Sequence, residues 1–557
     1  MCGIFLLLNN NNKFSDEFVK SQFEKGSRRG PEKSRIVKLD TQRTIGFHRL
    51  AINGLDDNSC QPFFIQNTVL VCNGEIYNHK ALAKMGNFIM ETNSDCEIII
   101  HLYRAFGISQ TLQMLDGVFS FALHDTVTNT IYVARDPYGV RPLYYLTKEG
   151  NSIIGFASEL KVLHGFCDDH ELDDVIQHVQ PGTVQTLKRV PFYDNWAVLK
   201  TTPYFLISSF SNDTRQHINT IYENISFHLQ NAVNKRCATT DRPIACLLSG
   251  GLDSSLITAL VNEYYKKNMP GKILETYSIG LAGSEDLKYA KIVADYLKTA
   301  HTEIILTEDE FVDSIPEVIY DIESYDTTSV RACLGNHALG KYISKHSDAK
   351  VIFNGDGSDE LTGGYLYMSK APNAIEFDKE TRRLLSDIYL FDVLRSDKSI
   401  STHGLEPRTP FLDISFTQYY LSIPAEIRFH PANLQCEKYL LRQSFAAPHF
   451  YNMNGNTLLP TEILWRKKEA FSDGVSSQER SLYTILQEKI SNKNIQNKTC
   501  YYHLPPTTKE QFYYRRLFDN FYYKHSNIVP YFWMPKYIEA TDPSARTLDI
   551  YNNTKKQ

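Results

Sequence analysis

Two groups of residues in this chain have types and positions that suit catalysis, and the first is at its start. Cys2 follows the initiator methionine in Met1-Cys2-Gly3-Ile4-Phe5. Removal of Met1 would place a thiol beside its own α-amino group. A cysteine thiol has a pKa of about 8.5 and an α-amino group one of about 7.7–8.0, so the amine can take the thiol proton through water near neutral pH. The sequence therefore predicts an N-terminal nucleophile that carries its own base.

The second group is the loop Ser249-Gly250-Gly251-Leu252-Asp253-Ser254-Ser255, between an apolar strand, Ile244–Leu248, and a helix that begins near Ser254. Glycines let the backbone approach an anion, and amides and hydroxyls at a helix N-terminus donate to phosphate oxygens. The loop lacks the lysine of GxxxxGK[ST], which argues against ordinary γ-phosphoryl transfer. We expect it to hold a phosphate group.

A second polar segment, Asn354-Gly355-Asp356-Gly357-Ser358-Asp359-Glu360, follows the apolar strand Val351–Phe353. The carboxyl ends of parallel strands meet at one edge of a sheet, so its carboxylates should reach the phosphate loop. Asp253 and Asp359 are the pair expected around Mg²⁺, because hard oxygen ligands suit that ion. Further along lies a basic cluster, Arg466-Lys467-Lys468, of a kind that is most often a solvated surface.

Composition limits the classes of function. The 557 residues favour two to four domains, and 42% hydrophobic with 22% charged residues is ordinary for globular proteins. A net charge of -5 provides no field for capturing nucleic acid or an anionic membrane. We find no apolar run near the roughly 20 residues of a membrane span and no secretory signal. The ten cysteines form no CxxC pair, which suits reduced thiols in a cytosol and argues against structural zinc.

The pattern of predicted secondary structure changes along the chain. Up to residue 190 short strands dominate, with one helix over Asp95–Ala105 that Asp95 would cap, which indicates a layered α+β domain with antiparallel sheets. Residues 191–216 gather prolines and polar residues, as a linker would. From 217 to 557 strands alternate with helices, including one over Phe311–Ile322, which indicates an α/β domain with a parallel sheet and a helical C-terminal part.

Together these segments resemble the glutamine-hydrolysing asparagine synthetases of the eukaryotic type, over essentially the whole chain. The pattern SGG-x-D-S after a strand is similar to the diphosphate-binding loop of ATP pyrophosphatases. Other matching segments are Phe47–Ile52, Asn73–Asn78, Leu115–Phe119, Arg135–Asp136 with Gly139–Leu143, Trp533–Lys536 and Ala540–Arg546. The resemblance implies a class II glutamine amidotransferase domain over 1–190, an αββα sandwich of the N-terminal-nucleophile kind. It implies an ATP-pyrophosphatase-like synthetase domain over 217–557.

The resemblance also implies a glutamine site. Cys2 would attack the glutamine amide, and Asn73 and Gly74 would donate to the developing oxyanion. Arg49 would grip the α-carboxylate as a fork, and Asp95 would receive the α-ammonium group. The remaining residues implied to complete the pocket are Leu50, Ala51, Ile52, Asn53 and Glu75.

For the second site the resemblance implies ATP, Mg²⁺ and aspartate, with ammonia passing between the sites through an internal tunnel. Thr328, Ser329 and Arg331 would face aspartate. The residues implied to contact ATP are Leu248, Ser249, Gly250, Gly251, Asp253, Ser254, Ser255, Ile279, Asn354, Gly355 and Lys468. The resemblance further implies a homodimer in the cytoplasm.

The chain departs from the family at two neighbouring positions. The family usually reads Ser-Gly-Glu-Gly where this chain has Asn354 and Asp356. The family glutamate helps to form the aspartyl adenylate, and aspartate keeps the charge on a side chain shorter by one methylene. Two other interpretations stay open, and the first of them rests on Asp356 alone. One is a glutamine-binding protein or sensor that cannot adenylate, and the other is a related ligase that amidates another carboxylate.

Overall fold

A computed structural model of the chain describes residues 2–167, 175–190, 194–208, 217–431, 436–468, 474–476, 480–491 and 501–544. Two parts of the sequence interpretation fall partly outside these ranges: the linker, at residues 191–193 and 209–216, and the end of the last family motif, at Ala545 and Arg546. Within the described ranges, no helix is both long and apolar enough to cross a lipid bilayer.

The N-terminal part contains two antiparallel sheets of six strands each, with strand orders β10-β8-β9-β1-β3-β2 and β12-β11-β7-β6-β5-β4. Their inner faces pack through alternate apolar side chains such as Ile4, Leu6 and Phe47 of one sheet against Val71 and Val133 of the other. The strands are β1 Gly3–Leu8, β2 Lys33–Lys38, β3 Thr44–Arg49, β4 Phe63–Ile65, β5 Thr68–Ile76, β6 Gly117–Asp125, β7 Thr130–Arg135, β8 Tyr144–Thr147, β9 Ile154–Ala157, β10 Val175–His178, β11 Thr183–Val190 and β12 Asn195–Pro203.

Helices cover the outer faces of both sheets. On one side α1 (Asp16–Glu24) and α4 (Leu160–His164) pack on Phe5 and Leu7 of β1. On the other side α2 (His79–Gly86) and α3 (Ile98–Met114) pack on β5 and β6. The four layers are the αββα sandwich expected from the sequence.

Two local expectations differ from the structure in this part. Strand β12 lies within the segment interpreted as a linker and pairs along its length with β11. Because it is an edge strand whose residues beyond Trp196 are largely exposed, it shows no apolar period. The cap predicted at Asp95 is wrong: the Ser94 side chain accepts from the Cys96 amide, whereas the Asp95 carboxylate turns towards β5 and accepts from the Ile76 amide at 2.6 Å.

The C-terminal part is built on a parallel sheet of five strands in the order β15-β14-β13-β16-β17. Strands β13 and β16 are central and fully buried, as expected for a parallel sheet with helices on both faces. The strands are β13 Ile244–Leu247, β14 Glu275–Leu281, β15 Ala300–Leu306, β16 Val351–Phe353 and β17 Glu406–Arg408.

Helices surround this sheet and form most of the C-terminal part. The predicted helix over Phe311–Ile322 is two helices, because Pro316 lacks an amide hydrogen and starts a new first turn instead of continuing the old one. The helices are α5 Ile218–Ala238, α6 Leu252–Asn268, α7 Glu285–Leu297, α8 Glu308–Asp313, α9 Ile315–Ile322, α10 Thr327–His346, α11 Ser358–Thr362, α12 Ala374–Asp387, α13 Asp392–Ser401, α14 Ile414–Ser422, α15 Ala425–Arg428, α16 Tyr439–Ser444, α17 Thr461–Leu464, α18 Leu482–Ser491 and α19 Lys509–Phe521.

Buried ion pairs join the two parts. Arg29, between α1 and β2, places Nη1 2.8 Å from Glu159 Oε1 and 2.8 Å from Asp397 Oδ1 on α13. Next to them, Lys161 and Lys398 are both paired with Glu159 and Glu323. These groups are almost fully shielded from solvent, so each charge depends on its partner across the interface.

Asp397→Asn tests this interface. It keeps the shape of the side chain but leaves Arg29 with one carboxylate fewer, and we expect unfolding to become easier by about 3–5 kcal/mol. Chemical denaturation followed by fluorescence measures the change. The control is Asp16→Asn, which breaks the exposed pair with Lys38 and should cost at most about 1 kcal/mol. Equal losses in the two variants would contradict the structural role of Asp397.

Candidate functional sites

The start of β1 and the end of β5 bring Cys2 and Asn73 together across the sandwich. The Cys2 amide nitrogen donates to Asn73 Oδ1 at 3.1 Å, and its carbonyl accepts from Arg29 Nε at 3.0 Å. Burial raises the pKa of the Cys2 thiol to about 12, so the thiol needs a base in order to ionise. Asn73 Nδ2 is buried and has no hydrogen-bond partner among the described residues, so the side chain that accepts from Cys2 also carries an unused donor.

Gly74 follows Asn73 in β5, and its lack of a side chain is required by the sheet. A Cβ atom there would lie 2.4 Å from the carbonyl oxygen of Val118 on β6. A larger residue would push β5 away from β6 and move Asn73 with it. The sequence therefore needs glycine at this position to hold the neighbouring amide in place.

Acidic and basic side chains lie around Cys2 and Asn73. Asn53 Nδ2 donates to Glu75 Oε2 at 2.5 Å, and Arg49 Nη2 donates to the carbonyl oxygens of Gly54 and Asp56. Burial raises the pKa of both Glu75 and Asp95, and the negative charge of Asp95 adds to the shift at Glu75. Leu50, Ala51 and Ile52 are buried in the same segment, and the Leu50 carbonyl oxygen lies 3.6 Å from Cys2 Sγ.

Residues of the C-terminal part contact Glu75, next to the Cys2 site. Arg408 of β17 places Nη2 3.2 Å from Glu75 Oε2, and its Nε donates to Glu406 at 2.8 Å. Residues from both parts of the chain therefore line the Cys2 site. Neither Glu406 nor Arg408 is marked by a sequence motif, because β17 is only three residues long and contains a proline.

The second site is a cavity at the carboxyl ends of β13, β14 and β16. The lining includes the expected residues Leu248, Ser249, Gly251, Asp253, Ser254, Ile279, Thr328, Ser329, Asn354, Gly355, Asp356, Asp359 and Lys468. Three expected residues are absent from that lining: Gly250, Ser255 and Arg331. Gly250 has a φ of +70° and turns its backbone against α7, and Ser255 is buried inside α6.

Two carboxylates and two lysines form the charged wall of the cavity. Lys438 Nζ lies 2.5 Å from Asp253 Oδ2 and 2.6 Å from Asp359 Oδ1, and Lys468 Nζ lies 2.6 Å from Asp359 Oδ2. Although burial alone would raise it, the two ammonium groups hold the pKa of Asp359 well below its usual range. Sequence analysis missed Lys438, which has no recognisable pattern around it and is distant in sequence from both carboxylates.

Glu360 lies beside this wall in a different electrostatic state. Burial, and then the charge of Asp359, raise the pKa of Glu360 to about 7. Tyr365 donates its hydroxyl to Oε1 at 2.5 Å, and Oε2 has no hydrogen-bond partner among the described residues. The carboxyl group can therefore gain or lose a proton near neutral pH.

The region expected to face aspartate is divided. Thr328 lines the cavity, and its buried hydroxyl lacks a hydrogen-bond partner within the described ranges. Ser329 also lines it, but its amide and hydroxyl both donate to Asp326, which caps α10. The Arg331 guanidinium points elsewhere and donates to Glu510 and Asp542 at 2.6–2.9 Å. The structure thus brings two of these three residues to the cavity.

Comparison with known proteins agrees with this two-site architecture. A family model described as "Asparagine synthase" matches residues 225–378 and 369–539, and one described as "Glutamine amidotransferase domain" matches residues 1–208. Asparagine synthetase [glutamine-hydrolyzing] from Gallus gallus is 42% identical over 574 residues, covering 99% of each chain. The proteins of the same name from Rattus norvegicus and Homo sapiens are each 40% identical, over 590 and 592 residues, and cover 100% of each chain.

The fold and the two sites define a glutamine amidotransferase domain joined to a parallel-sheet synthetase domain. With full-length identity of this order, the chain belongs to the glutamine-hydrolysing asparagine synthetase family.

The raised pKa of Glu360 gives a testable dependence of stability on pH. A carboxyl group whose pKa rises from 4.5 to about 7 on folding contributes stability that is full below pH 4.5 and is lost as the pH rises through 7. Glu360→Gln removes this loss, and its amide oxygen can still accept from Tyr365. The native protein should lose more of its free energy of unfolding than the variant when the pH rises from 5 to 8. We expect this difference to be on the order of 2 kcal/mol.

Denaturation at both pH values measures this difference, in which any constant effect of the substitution cancels. The control is Glu462→Gln, at an exposed position of α17. A Glu360→Gln variant that follows the native pH dependence would show that Glu360 is ionised throughout.

Proposed function

We propose that this protein makes L-asparagine, L-glutamate, AMP and diphosphate from L-aspartate, L-glutamine, ATP and water. The observation that carries the proposal is the presence, on one chain, of two sites: a partly buried Cys2 beside a side-chain amide that has no partner among the described residues, and a phosphate loop that opens into a cavity of carboxylates and lysines. A nucleophile with an oxyanion donor suits amide hydrolysis, and the second site suits carboxylate activation by ATP.

In the first site, the proposed nucleophile is the Cys2 thiolate, formed when the α-amino group exposed by removal of Met1 takes the thiol proton. Asn73 Oδ1 already accepts from that nitrogen and so holds it in place. Attack on the glutamine carboxamide carbon places negative charge on its oxygen, which the Asn73 side-chain amide and Gly74 can stabilise. Loss of ammonia leaves a thioester that water hydrolyses to glutamate. Arg49 and Asp95 would bind the two charged ends of glutamine, with Glu75 and Leu50 to Asn53 completing the pocket.

In the second site, the Ser249–Ser255 loop is proposed to hold the β and γ phosphates of ATP. An oxygen of the aspartate side-chain carboxylate attacks the α-phosphorus, and diphosphate leaves as an acyl adenylate forms. Ammonia then attacks the acyl carbon and AMP leaves. Lys468 and Lys438 carry positive charge next to the loop and can neutralise the leaving group. Leu248, Ile279, Asn354 and Gly355 are the proposed contacts of the rest of the nucleotide.

The residues present fit Mg²⁺. The carboxylates of Asp253 and Asp359 converge on one point, now contacted by Lys438, and both are hard oxygen ligands with substrate phosphates nearby to complete the coordination. A bound Mg²⁺ would spread the charge of the triphosphate. Asp253 and Asp359 would hold it, and the two lysines would shift towards the phosphates as the carboxylates exchange partners.

For aspartate, the free hydroxyl of Thr328 and the wall formed by Ser329 are the proposed contacts. We assign Arg331 to holding α10 against α19, because both its carboxylate partners are buried with it. Asp356 lines the cavity, which supports an adenylating enzyme over a sensor that cannot adenylate. The ligase that amidates another carboxylate is the remaining alternative.

The proposal also covers the domain boundaries, the oligomeric state and the cellular location. We place the end of the amidotransferase domain after β12, since that strand completes its sheet, and the synthetase domain from α5 onwards. A homodimer in the cytoplasm is the proposed state, on the basis of the family resemblance.

The deciding experiment incubates protein having a native N-terminus with aspartate, MgATP and either glutamine or ammonium, and measures asparagine and diphosphate. We expect equal amounts of the two products from either nitrogen source. Diphosphate formed with a different acid, and not with aspartate, would identify the related ligase. Glutamate release without any diphosphate would identify the sensor.

Cys2→Ala separates the two sites. We expect it to abolish glutamine-dependent synthesis, because no nucleophile remains, while ammonia-dependent synthesis stays within about twofold of native. An uncleaved N-terminal extension should do the same, since it blocks the α-amino group. Loss of both activities would mean that Cys2 is needed for the structure instead of for glutamine hydrolysis.

A further inference from the structure

Asn354 and Asp356, two positions at which the chain differs from the usual residues of its family, contact each other. Asn354 Nδ2 donates to Asp356 Oδ2 at 2.7 Å, and the Asp356 amide approaches Asn354 Oδ1 at 3.4 Å. The same Nδ2 donates to Ser396 Oγ on α13 at 2.7 Å. A side-chain amide has two N–H groups, so both of its donors are used. Asn354 thereby ties the carboxylate of Asp356 to helix α13.

Asn354 itself is firmly held. It is 5% exposed, and its backbone amide donates to the Arg408 carbonyl of β17 at 3.1 Å. Its side chain is therefore fixed between the end of β16 and α13. A donor fixed in this way restricts the rotation of the carboxylate that accepts from it.

Among the described residues, Asp356 has no comparably close second side-chain partner to orient it. It lines the cavity, and its other carboxylate oxygen lies 4.0 Å from Arg395 Nη2, which is itself paired with Asp392. Without the Asn354 amide, the carboxylate would be free to turn towards Arg395. The direction in which Asp356 presents its charge to the cavity thus depends on Asn354.

The lengths of the two side chains are complementary. An asparagine donor reaches one bond further from the backbone than a serine hydroxyl, and an aspartate carboxylate one bond less than that of glutamate. A serine at 354 has a single O–H group and cannot donate to Asp356 and Ser396 together. A glutamate at 356 would extend past the donor that now holds the carboxylate.

We propose that Asn354 is a positioning residue that aims the Asp356 carboxylate into the cavity, and that the two residues act as one unit in place of the serine and glutamate usual in the family. This inference rests on the proposed adenylation of aspartate. It predicts that each residue works only with its present partner. A one-residue exchange should therefore damage the site more than the exchange of both.

The test is a double-mutant cycle of the full-length protein with Asn354→Ser, Asp356→Glu and both together. The measurement is kcat and KM for aspartate and ATP, with ammonium as nitrogen source so that the first site does not limit the rate. A displacement of about 1 Å can cost about 100-fold in rate, so we expect each single variant to lose about 10–100-fold in kcat with KM for aspartate changed less than about threefold. The double variant should return to within about tenfold of native.

Losses that multiply independently in the double variant would overturn the inference, as would native kcat in Asn354→Ser. If native protein forms no diphosphate from aspartate, the proposed function fails and this role fails with it. Diphosphate formation by native protein with independent losses overturns the pairing alone. Glutamine hydrolysis without ATP and thermal unfolding report whether each variant is folded.

Two further variants guard against misfolding. Asn354→Ala adds no bulk and removes the donor, and it should also lose kcat with little change in KM for aspartate. Native kcat in this variant would overturn the inference. The matched control is Asn262→Ser, since Asn262 is also 5% exposed and donates its side-chain amide, to Leu297, but lies outside the cavity. It should keep kcat within about twofold of native.

Discussion

The arrangement of this molecule depends on the charges buried along helix α13. Its first half faces the cavity, where Asp392 accepts from the Gly357 amide and Ser396 accepts from Asn354. Its second half faces the amidotransferase domain, where Asp397 pairs with Arg29, and Arg29 in turn donates to the Cys2 carbonyl. A buried charge that loses its partner is strongly destabilising. The two domains are therefore held in one relative position, and so are their sites.

The synthetase cavity illustrates how such charges are balanced before any substrate binds. Asp253 and Asp359 are matched by Lys438 and Lys468, so the wall carries both signs in close contact. Arrival of a triphosphate with its metal ion would supply new partners for both signs at once. Glu360, next to the wall but without a lysine of its own, is instead left with a pKa near neutrality. Its protonation would follow changes in the charge of this wall.

Local pattern predicted the strands Ile244–Leu248 and Val351–Phe353 to within one residue of β13 and β16. The parallel sheet, its helices and the strands of the sandwich follow from apolar period and turn residues, which act over a few neighbours. The failures have identifiable physical reasons. Strand β12 has little apolar alternation. The Asp95 carboxylate accepts from the Ile76 amide of β5 instead of capping its own helix. Pro316 divides one predicted helix into two. Hydrophobic periodicity alone does not reveal a pairing strand, a competing hydrogen-bond donor or a proline break.

By itself the sequence determined which chemical groups are present and which short segments carry them: Cys2 at the start, the glycine loop after β13, and the acidic segment after β16. These are determined locally because a loop or a terminus needs only its own residues and the strand before it. Tertiary structure alone decided that Lys438 contacts both Asp253 and Asp359, that Arg331 pairs away from the cavity, and that Asn354 holds Asp356 against α13. Most of these contacts join residues tens to hundreds of positions apart, and side-chain direction within a buried site is set by packing from several elements at once.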